Sequence, residues 1–317
     1  MNKGYSILII DEVHPILLDK LKDYNVHYDP SITLPELKEK IDDIEIIILR
    51  SKLQLTQEWI KLAPKLKVIG RLGSGMDNID VEFADKQGIS CFNAPEGNRN
   101  AVAEQTLGMI LATLSNTFKS SKEVREGIWD RKGNSGIELD SLTVGIIGYG
   151  NVGKQLTKKL KGFDCNVLAY DLFLSNFGDE NVHEAELQEI FEKADIVTLH
   201  VPLNKYSYHM INSNFIQSMK KPFYLFNLSR GDVVLTSDLI EGLETNKIIA
   251  CGLDVLENEK INNLSKLQQE QFEYLSDNER VILTPHIGGL TQNSFLKLAE
   301  ILADKVLNWA KKEPLVN

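Results

Sequence analysis

The stretch TVGIIGYGNVGKQLTKKL, residues 143–160, decides the fold. It begins as an apolar β-rich run, turns through Gly148, Gly150 and Gly153 in the spacing G-x-G-x-x-G, and continues at helical periodicity. Glycines so spaced are a weak signal alone. Between a strand and a helix each acquires a task. Gly148 permits the tight turn, Gly150 lets backbone approach a pyrophosphate, and Gly153 lets helix and strand pack closely. The first helical turn, with Asn151 and Val152, then offers unpaired N–H groups and a positive dipole end to phosphate oxygens. Asp171 ends the next strand-like run, NVLAYD, 18 residues past Gly153 (171 − 153), near the ~20 expected for a carboxylate that accepts the ribose hydroxyls. It would repel a 2′-phosphate, and Leu172 and Phe173 supply no cation to welcome one. The cofactor read from these residues is NAD, not NADP.

Outward from this motif the chain alternates strands and helices. Before it, YSILIID, IEIIILR and LKVIGRLG read as strands separated by the helical patterns PILLDKLKDY, TLPELKEKI and TQEWIKLAP. The stretch from Asn100 to Gly127 reads as one long helix, and WDRKGNSGIEL as a loop. After it LTVGIIG, NVLAYD, DIVTLHVP, FYLFNLS, IIACGLDV and RVILTPH form a second strand series. Runs this apolar suit parallel strands covered on both faces by crossover helices. The fold class is therefore α/β, with two doubly wound units. The amphipathic segment QNSFLKLAEILADKVLNWAKK follows the last strand and is expected to return to the N-terminal unit. The polar stretch 257–280 reads as an exposed helical excursion.

Composition limits the function. With 317 residues, 43% hydrophobic and 25% charged, this is a globular chain with room for two domains. A net charge of −10 argues against a nucleic-acid surface, which needs clustered Lys and Arg. No apolar run approaches the ~18 residues that cross a bilayer. The run ILII ends at Asp11, too soon for a signal peptide, and reads as a first strand. Cys91, Cys165 and Cys251 are widely spaced in apolar contexts, as expected of buried thiols in a reducing cytoplasm. Neither a disulfide framework nor a metal site is expected.

Three strand ends late in the chain carry polar residues: NLSRGD with Arg230, GLDVLENE with Asp254 and Glu259, and TPHIGG with His286. In open α/β sheets ligands bind beyond the carboxyl ends of strands, where these could converge. Hydride exchange with a 2-hydroxy acid needs such a set. A guanidinium holds the carboxylate and polarises the carbonyl. A group titrating near neutrality exchanges the hydroxyl proton. A carboxylate beside the histidine orients the ring and stabilises the imidazolium.

In order along the chain, GRLGSGMDNID, NAPEGNRNAVAEQTLGMIL, VGIIGYGNVG, NLSRGDVV, GLDVLENE and LTPHIGG resemble the D-isomer-specific 2-hydroxyacid dehydrogenases, over essentially the whole sequence. The resemblance implies a Rossmann NAD-binding domain, 98–289, inserted in a flavodoxin-like substrate domain, 1–97 plus 290–317, with a crevice between them and a homodimer through the NAD-binding domain. It implies a catalytic trio of Arg230, Glu259 and His286. Gly73, Ser74 and Gly75 would present amides to the substrate carboxylate, with Asn98 beside them. His200, Val201, Pro202 and Ser207 would line the cofactor site, Asp254 would hold the nicotinamide carboxamide, and Gly288 would let the backbone turn beside it. One departure concerns the carboxylate. The family often has Pro after the catalytic Glu, whereas Lys260 and a long polar excursion follow here, so Glu257 stays open as the alternative.

The segment ILRSKLQLT matches, at Arg50 and Ser51, a segment that faces the substrate phosphate in phosphoglycerate-oxidising members, with Lys52 nearby. This implies NAD-dependent oxidation of D-3-phosphoglycerate in serine biosynthesis, in a short form without a regulatory domain. Reduction of glyoxylate or hydroxypyruvate is the second expectation. An NAD-sensing corepressor on the same scaffold is the alternative of another class.

Overall fold

The computed structural model describes residues 4–312; residues 1–3 and 313–317 of the expected domain limits lie outside them. The chain forms two compact units, one holding the described residues up to Asn98 and from Leu290 onward, the other Arg99–Gly289.

The first unit is a five-stranded sheet of β1 (Ser6–Ile9), β2 (Asn25–Tyr28), β3 (Ile46–Leu49), β4 (Val68–Arg71) and β5 (Ser90–Asn93). All pairings are parallel and the order is β2-β1-β3-β4-β5, the flavodoxin-like arrangement. The central strand β3, IIIL, is buried along its whole length. One face is closed by the helix Gln292–Lys312, whose Leu298, Ala299, Leu302, Ala303 and Val306 join Ile7, Ile9, Leu17 and Ile48 in one apolar cluster. Its i, i+3/i+4 spacing makes the stripe that this burial requires.

The second unit carries β6 (Thr143–Ile147), β7 (Asn166–Tyr170), β8 (His183–Glu184), β9 (Ile196–Leu199), β10 (Phe223–Asn227), β11 (Ile248–Leu253) and β12 (Val281–Leu283). Their order, β12-β11-β10-β9-β6-β7-β8, is the Rossmann order extended by one parallel strand. The order reverses between β6 and β9, which pair directly, so the topological switch point lies where the glycine motif leaves the sheet.

Three strands, β2, β5 and β8, are absent from the sequence reading. Each is at a sheet edge. β2 is largely exposed, β5 is only partly buried and β8 has two residues, so none shows the apolar run that marks an interior strand. The expected single helix over 100–127 is two. One spans Pro95–Leu114 and the other Thr117–Arg125, separated where Asn116 takes φ 51°, a left-handed conformation that ends a helix. In the excursion, Ser265 and Gln268 form a reciprocal capping box that starts the helix Lys266–Asp277. Leu275 anchors it in the core. Of the thiols only Cys251 is buried; Cys91 and Cys165 are half-buried.

Among the described residues no helix is long and apolar enough to cross a membrane.

Candidate active site

The glycine motif builds a cradle. Gly148 has φ 95°, and a Cβ there would lie 2.5 Å from the His200 carbonyl oxygen and 3.0 Å from Val201 Cγ1. A Cβ on Gly153 would lie 2.3 Å from the Gly148 carbonyl oxygen. One at Gly150 meets nothing within 4 Å, so the space over it is open. Gly150 caps the helix Asn151–Leu160 without a side-chain hydrogen bond. The first-turn amides of Asn151, Val152 and Gly153 have no intrahelical acceptor and suit a pyrophosphate.

Asp171 is held firmly. Its Oδ2 accepts from the Tyr149 amide at 2.8 Å and its Oδ1 from the amides of Phe173 (2.9 Å) and Leu174 (3.1 Å). The carboxylate is fixed beside the glycine turn with capacity left for a hydroxyl donor. Next to it Leu172, Phe173 and Leu174 are exposed, Phe173 by 72%. An apolar shelf beside a carboxylate with acceptor capacity to spare has the chemistry to take an adenosine. On the other flank His200 bonds Thr198 Oγ1 at 3.0 Å, and desolvation pushes its pKa down to about 3, so it stays neutral. Ser207 is buried, and its hydroxyl is spent within the loop, donating to the Pro202 carbonyl at 2.5 Å and accepting from the Asn204 amide at 2.9 Å. It shapes the loop that carries Pro202.

The polar residues at the ends of β10, β11 and β12 occupy one edge of the same sheet. His286 Nδ1 lies 2.9 Å from both carboxylate oxygens of Glu259. Both side chains are about half exposed, so a ligand can reach the free Nε2. Glu257, the alternative partner, is engaged elsewhere. Its Oε1 lies 2.8 Å from His209 Nε2, and its Oε2 accepts from the Thr236 amide at 2.8 Å. The structure thus brings Glu259, not Glu257, to His286. Arg230 follows β10 with extended backbone, and its Nη1 donates to the Ser229 carbonyl at 2.6 Å.

Asp254, buried at the end of β11, carries the His286 loop. Its Oδ1 accepts from Thr284 Oγ1 (2.5 Å) and the Ile287 amide (2.9 Å), and its Oδ2 from the Gly288 amide (2.8 Å). A Cβ on Gly288 would stand 2.9 Å from Asp254 Oδ2. His286 itself has φ 54°, a conformation costing a bulky residue about 1–3 kcal/mol unless its surroundings impose it. Here the Asp254 carboxylate and carbonyl impose it, the latter accepting from the His286 amide at 2.8 Å.

In the first unit the Ser74 hydroxyl donates to Asn98 Oδ1 at 2.5 Å, and Asn93 Nδ2 donates to the Ser74 carbonyl at 2.5 Å. These bonds fix the Gly73–Gly75 loop. The Arg50 amide donates to Asp11 Oδ2 at 2.7 Å, and its carbonyl accepts from Asn78. Among the described residues its guanidinium has no partner. Ser51 is exposed beside it. Lys52 turns away, its Nζ donating to the Pro30 carbonyl at 2.6 Å. Absent from the sequence reading is Arg71, whose Nη1 lies 1.4 Å from where a Gly73 Cβ would be. An arginine at the end of β4, two residues before the glycine loop, was the available signal. The His209–Glu257 pair was missed too, since 48 residues separate its members.

Residues 107–288 match the D-isomer specific 2-hydroxyacid dehydrogenase family, NAD binding domain. Along its length the chain is 37% identical to D-3-phosphoglycerate dehydrogenase of Methanocaldococcus jannaschii, covering 98% of this chain and 59% of that protein. It is 33% identical to glyoxylate reductase of Pyrococcus furiosus, covering 88% and 83% respectively. In three dimensions it is similar to D-lactate dehydrogenase of Aquifex aeolicus complexed with NAD and lactic acid, with a TM-score of 0.85, 28% identity and 96% of each chain covered. The chain belongs to the D-isomer specific 2-hydroxyacid dehydrogenase family. Its second unit is the family's NAD-binding domain, and NAD is the cofactor. It spans just over half the length of the phosphoglycerate dehydrogenases it matches.

Proposed function

We propose that this protein oxidises D-3-phosphoglycerate to 3-phosphohydroxypyruvate with NAD, the first unit binding substrate and the second cofactor. The observation that carries the reading is the His286–Glu259 pair at the carboxyl edge of a sheet whose switch point bears the NAD cradle. His286 Nε2 takes the proton of the substrate's C2 hydroxyl. Glu259 keeps Nδ1 protonated, so that Nε2 is the basic nitrogen, and stabilises the imidazolium that forms. Arg230 holds the carboxylate and the oxygen that becomes the carbonyl. NAD held by the Gly148–Gly153 turn and Asp171 would supply the acceptor for the C2 hydrogen and its electron pair. In the reverse direction His286 returns the proton. The Gly73–Gly75 amides and Asn98 orient the carboxylate.

The uncommitted guanidinium of Arg50, with the Ser51 hydroxyl beside it, supports a phosphorylated substrate, because a guanidinium pairs bidentately with phosphate. So does the 37% identity with a phosphoglycerate dehydrogenase along nearly all of this chain. Arg50→Ala is expected to raise KM for 3-phosphoglycerate by roughly ten-fold or more, the worth of one charged hydrogen-bonded contact, with a smaller fall in kcat. Turnover of glycerate or D-lactate equal to that of the phosphorylated acid would exclude this substrate.

A second reading, reduction of glyoxylate or hydroxypyruvate, has its own support. The glyoxylate and hydroxypyruvate reductases that this chain resembles are matched over 83% and 86% of their lengths. The same assay, run with NADH and hydroxypyruvate, separates the two.

A homodimer is part of the proposal. Phe118, Val124, Ile128, Trp129 and Ile137 are exposed on and after the helix Thr117–Arg125, Trp129 by 78%. Five large apolar side chains left exposed within one stretch of the chain support association through this region.

A further inference from the structure

A second histidine–carboxylate pair, His209 with Glu257, is formed two residues along the chain from Glu259, and the proposed chemistry does not use it. We infer that His209 and Glu257 are positioning residues that fix the Glu259 carboxylate against the turn bearing Arg230. This inference rests on the reading of Arg230, Glu259 and His286 as the catalytic trio.

Glu257 is two residues from Glu259, on a segment with no regular structure of its own. Such a segment is held only by its side chains and by what it touches. Glu257 makes one bond through each carboxylate oxygen, Oε1 with His209 Nε2 at 2.8 Å and Oε2 with the Thr236 amide at 2.8 Å. His209 in turn is tied to the Arg230 turn, its amide donating to the Asp232 carbonyl at 2.7 Å. Its backbone is left-handed, φ 47°, and its ring stacks on Tyr208 with centroids 4.0 Å apart. The two backbones meet at Gly231. A Cβ there would lie 1.9 Å from the Leu256 carbonyl oxygen and 2.6 Å from the Glu257 nitrogen. The turn carrying Arg230 therefore abuts the segment carrying Glu259, with the His209–Glu257 bond closing the joint. The Asp232, His209 and Glu257 polar atoms lie within 4.8 Å of one another. Glu257 raises the Asp232 pKa, burial being the larger cause. The joint is thus tight enough for its members to sense one another.

The test is a double-mutant cycle on kcat with hydroxypyruvate and NADH, beside NADH affinity by fluorescence. Glu259→Gln alone lowers kcat. Glu257→Ala alone lowers it about ten- to hundred-fold, the loss expected of a misplacement near 1 Å. NADH affinity stays within about two-fold, since the cradle is untouched. Added to Glu259→Gln, Glu257→Ala costs less than about three-fold, because a positioning residue has nothing left to position. Glu257→Gln and His209→Gln regain most of the rate, since an amide can both accept and donate in that place. Additive losses, or a Glu257→Gln as slow as Glu257→Ala, overturn the inference. So does a kcat loss on EDTA treatment that zinc restores, which would make the cluster a metal site. If Glu259→Gln and His286→Ala keep the full rate, the catalytic reading itself fails. If they lose it while Glu257→Ala does not, only the positioning role fails.

Discussion

Replacing Asp254 with Asn changes one atom and no volume, yet it attacks the part of the molecule that presents His286. The carboxylate accepts three bonds, from Thr284 Oγ1, the Ile287 amide and the Gly288 amide. An amide offers one acceptor oxygen. With that oxygen toward Thr284 and Ile287, the NH2 group faces the Gly288 N–H, donor against donor. A buried amide left unsatisfied costs about 1–3 kcal/mol, and weakening two charge-assisted bonds adds roughly 1 kcal/mol. Together this is about 2–4 kcal/mol. For a unit of this size, at about 2–4 °C per kcal/mol, that lowers the midpoint of its melting transition by about 4–16 °C. Turnover falls as well. His286 keeps φ 54° only while its loop is held, and a shift near 1 Å at the proton-transfer nitrogen costs about a hundred-fold. Differential scanning calorimetry and steady-state kinetics on Asp254→Asn check both. A variant melting within about 1 °C of the parent, with unchanged kcat, would refute the view that Asp254 carries the catalytic loop.

Further outcomes follow from other parts of the structure. Gly153→Ala sets a Cβ 2.3 Å from the Gly148 carbonyl, an overpacking costing about 1–3 kcal/mol. To the extent that this strain distorts the cradle, NADH titration by fluorescence should show affinity reduced about five- to hundred-fold, one decade per 1.4 kcal/mol. His200, with its pKa depressed to about 3, favours the folded state fully above the unfolded histidine value near 6.5. That contribution is lost as pH falls from there toward 3, at up to about 1.4 kcal/mol per unit. His200→Asn should therefore flatten the fall in melting temperature between pH 6.5 and 5, and an unchanged slope would count against this. Trp129→Asp should convert the proposed dimer to a monomer in light scattering, because it places a charge at an apolar side chain that is 78% exposed in the single chain; an unchanged mass would count against association through this residue.

The interior of the fold was legible because interior strands carry continuous apolar runs; β3 and β10 could be read from IIIL and FYLFN alone. The edge strands β2, β5 and β8 could not, since each of these buries too little side chain to leave a pattern; β12, also an edge, was readable from its apolar VIL run. At the site, the glycine spacing and Asp171 were readable because a backbone turn and a strand end fix them locally. Which carboxylate meets His286 was not. Glu257 and Glu259 are two residues apart, and only the loop path, set by the contact at Gly231 and by His209 from 48 residues away, assigns their partners. Arg71 was hidden for a similar reason. Only the packed structure shows its guanidinium folded over Gly73.

The proposed reaction is NAD-linked oxidation of a phosphorylated D-2-hydroxy acid with His286 as the proton acceptor. Its most direct measurement is initial NADH formation from NAD and 3-phosphoglycerate, by parent and His286→Ala proteins, with NAD affinity measured on both. Turnover by the parent, a loss of about a hundred- to ten-thousand-fold in the variant, and little change in NAD affinity are expected. No turnover by the parent, or a variant as fast as the parent, would contradict it.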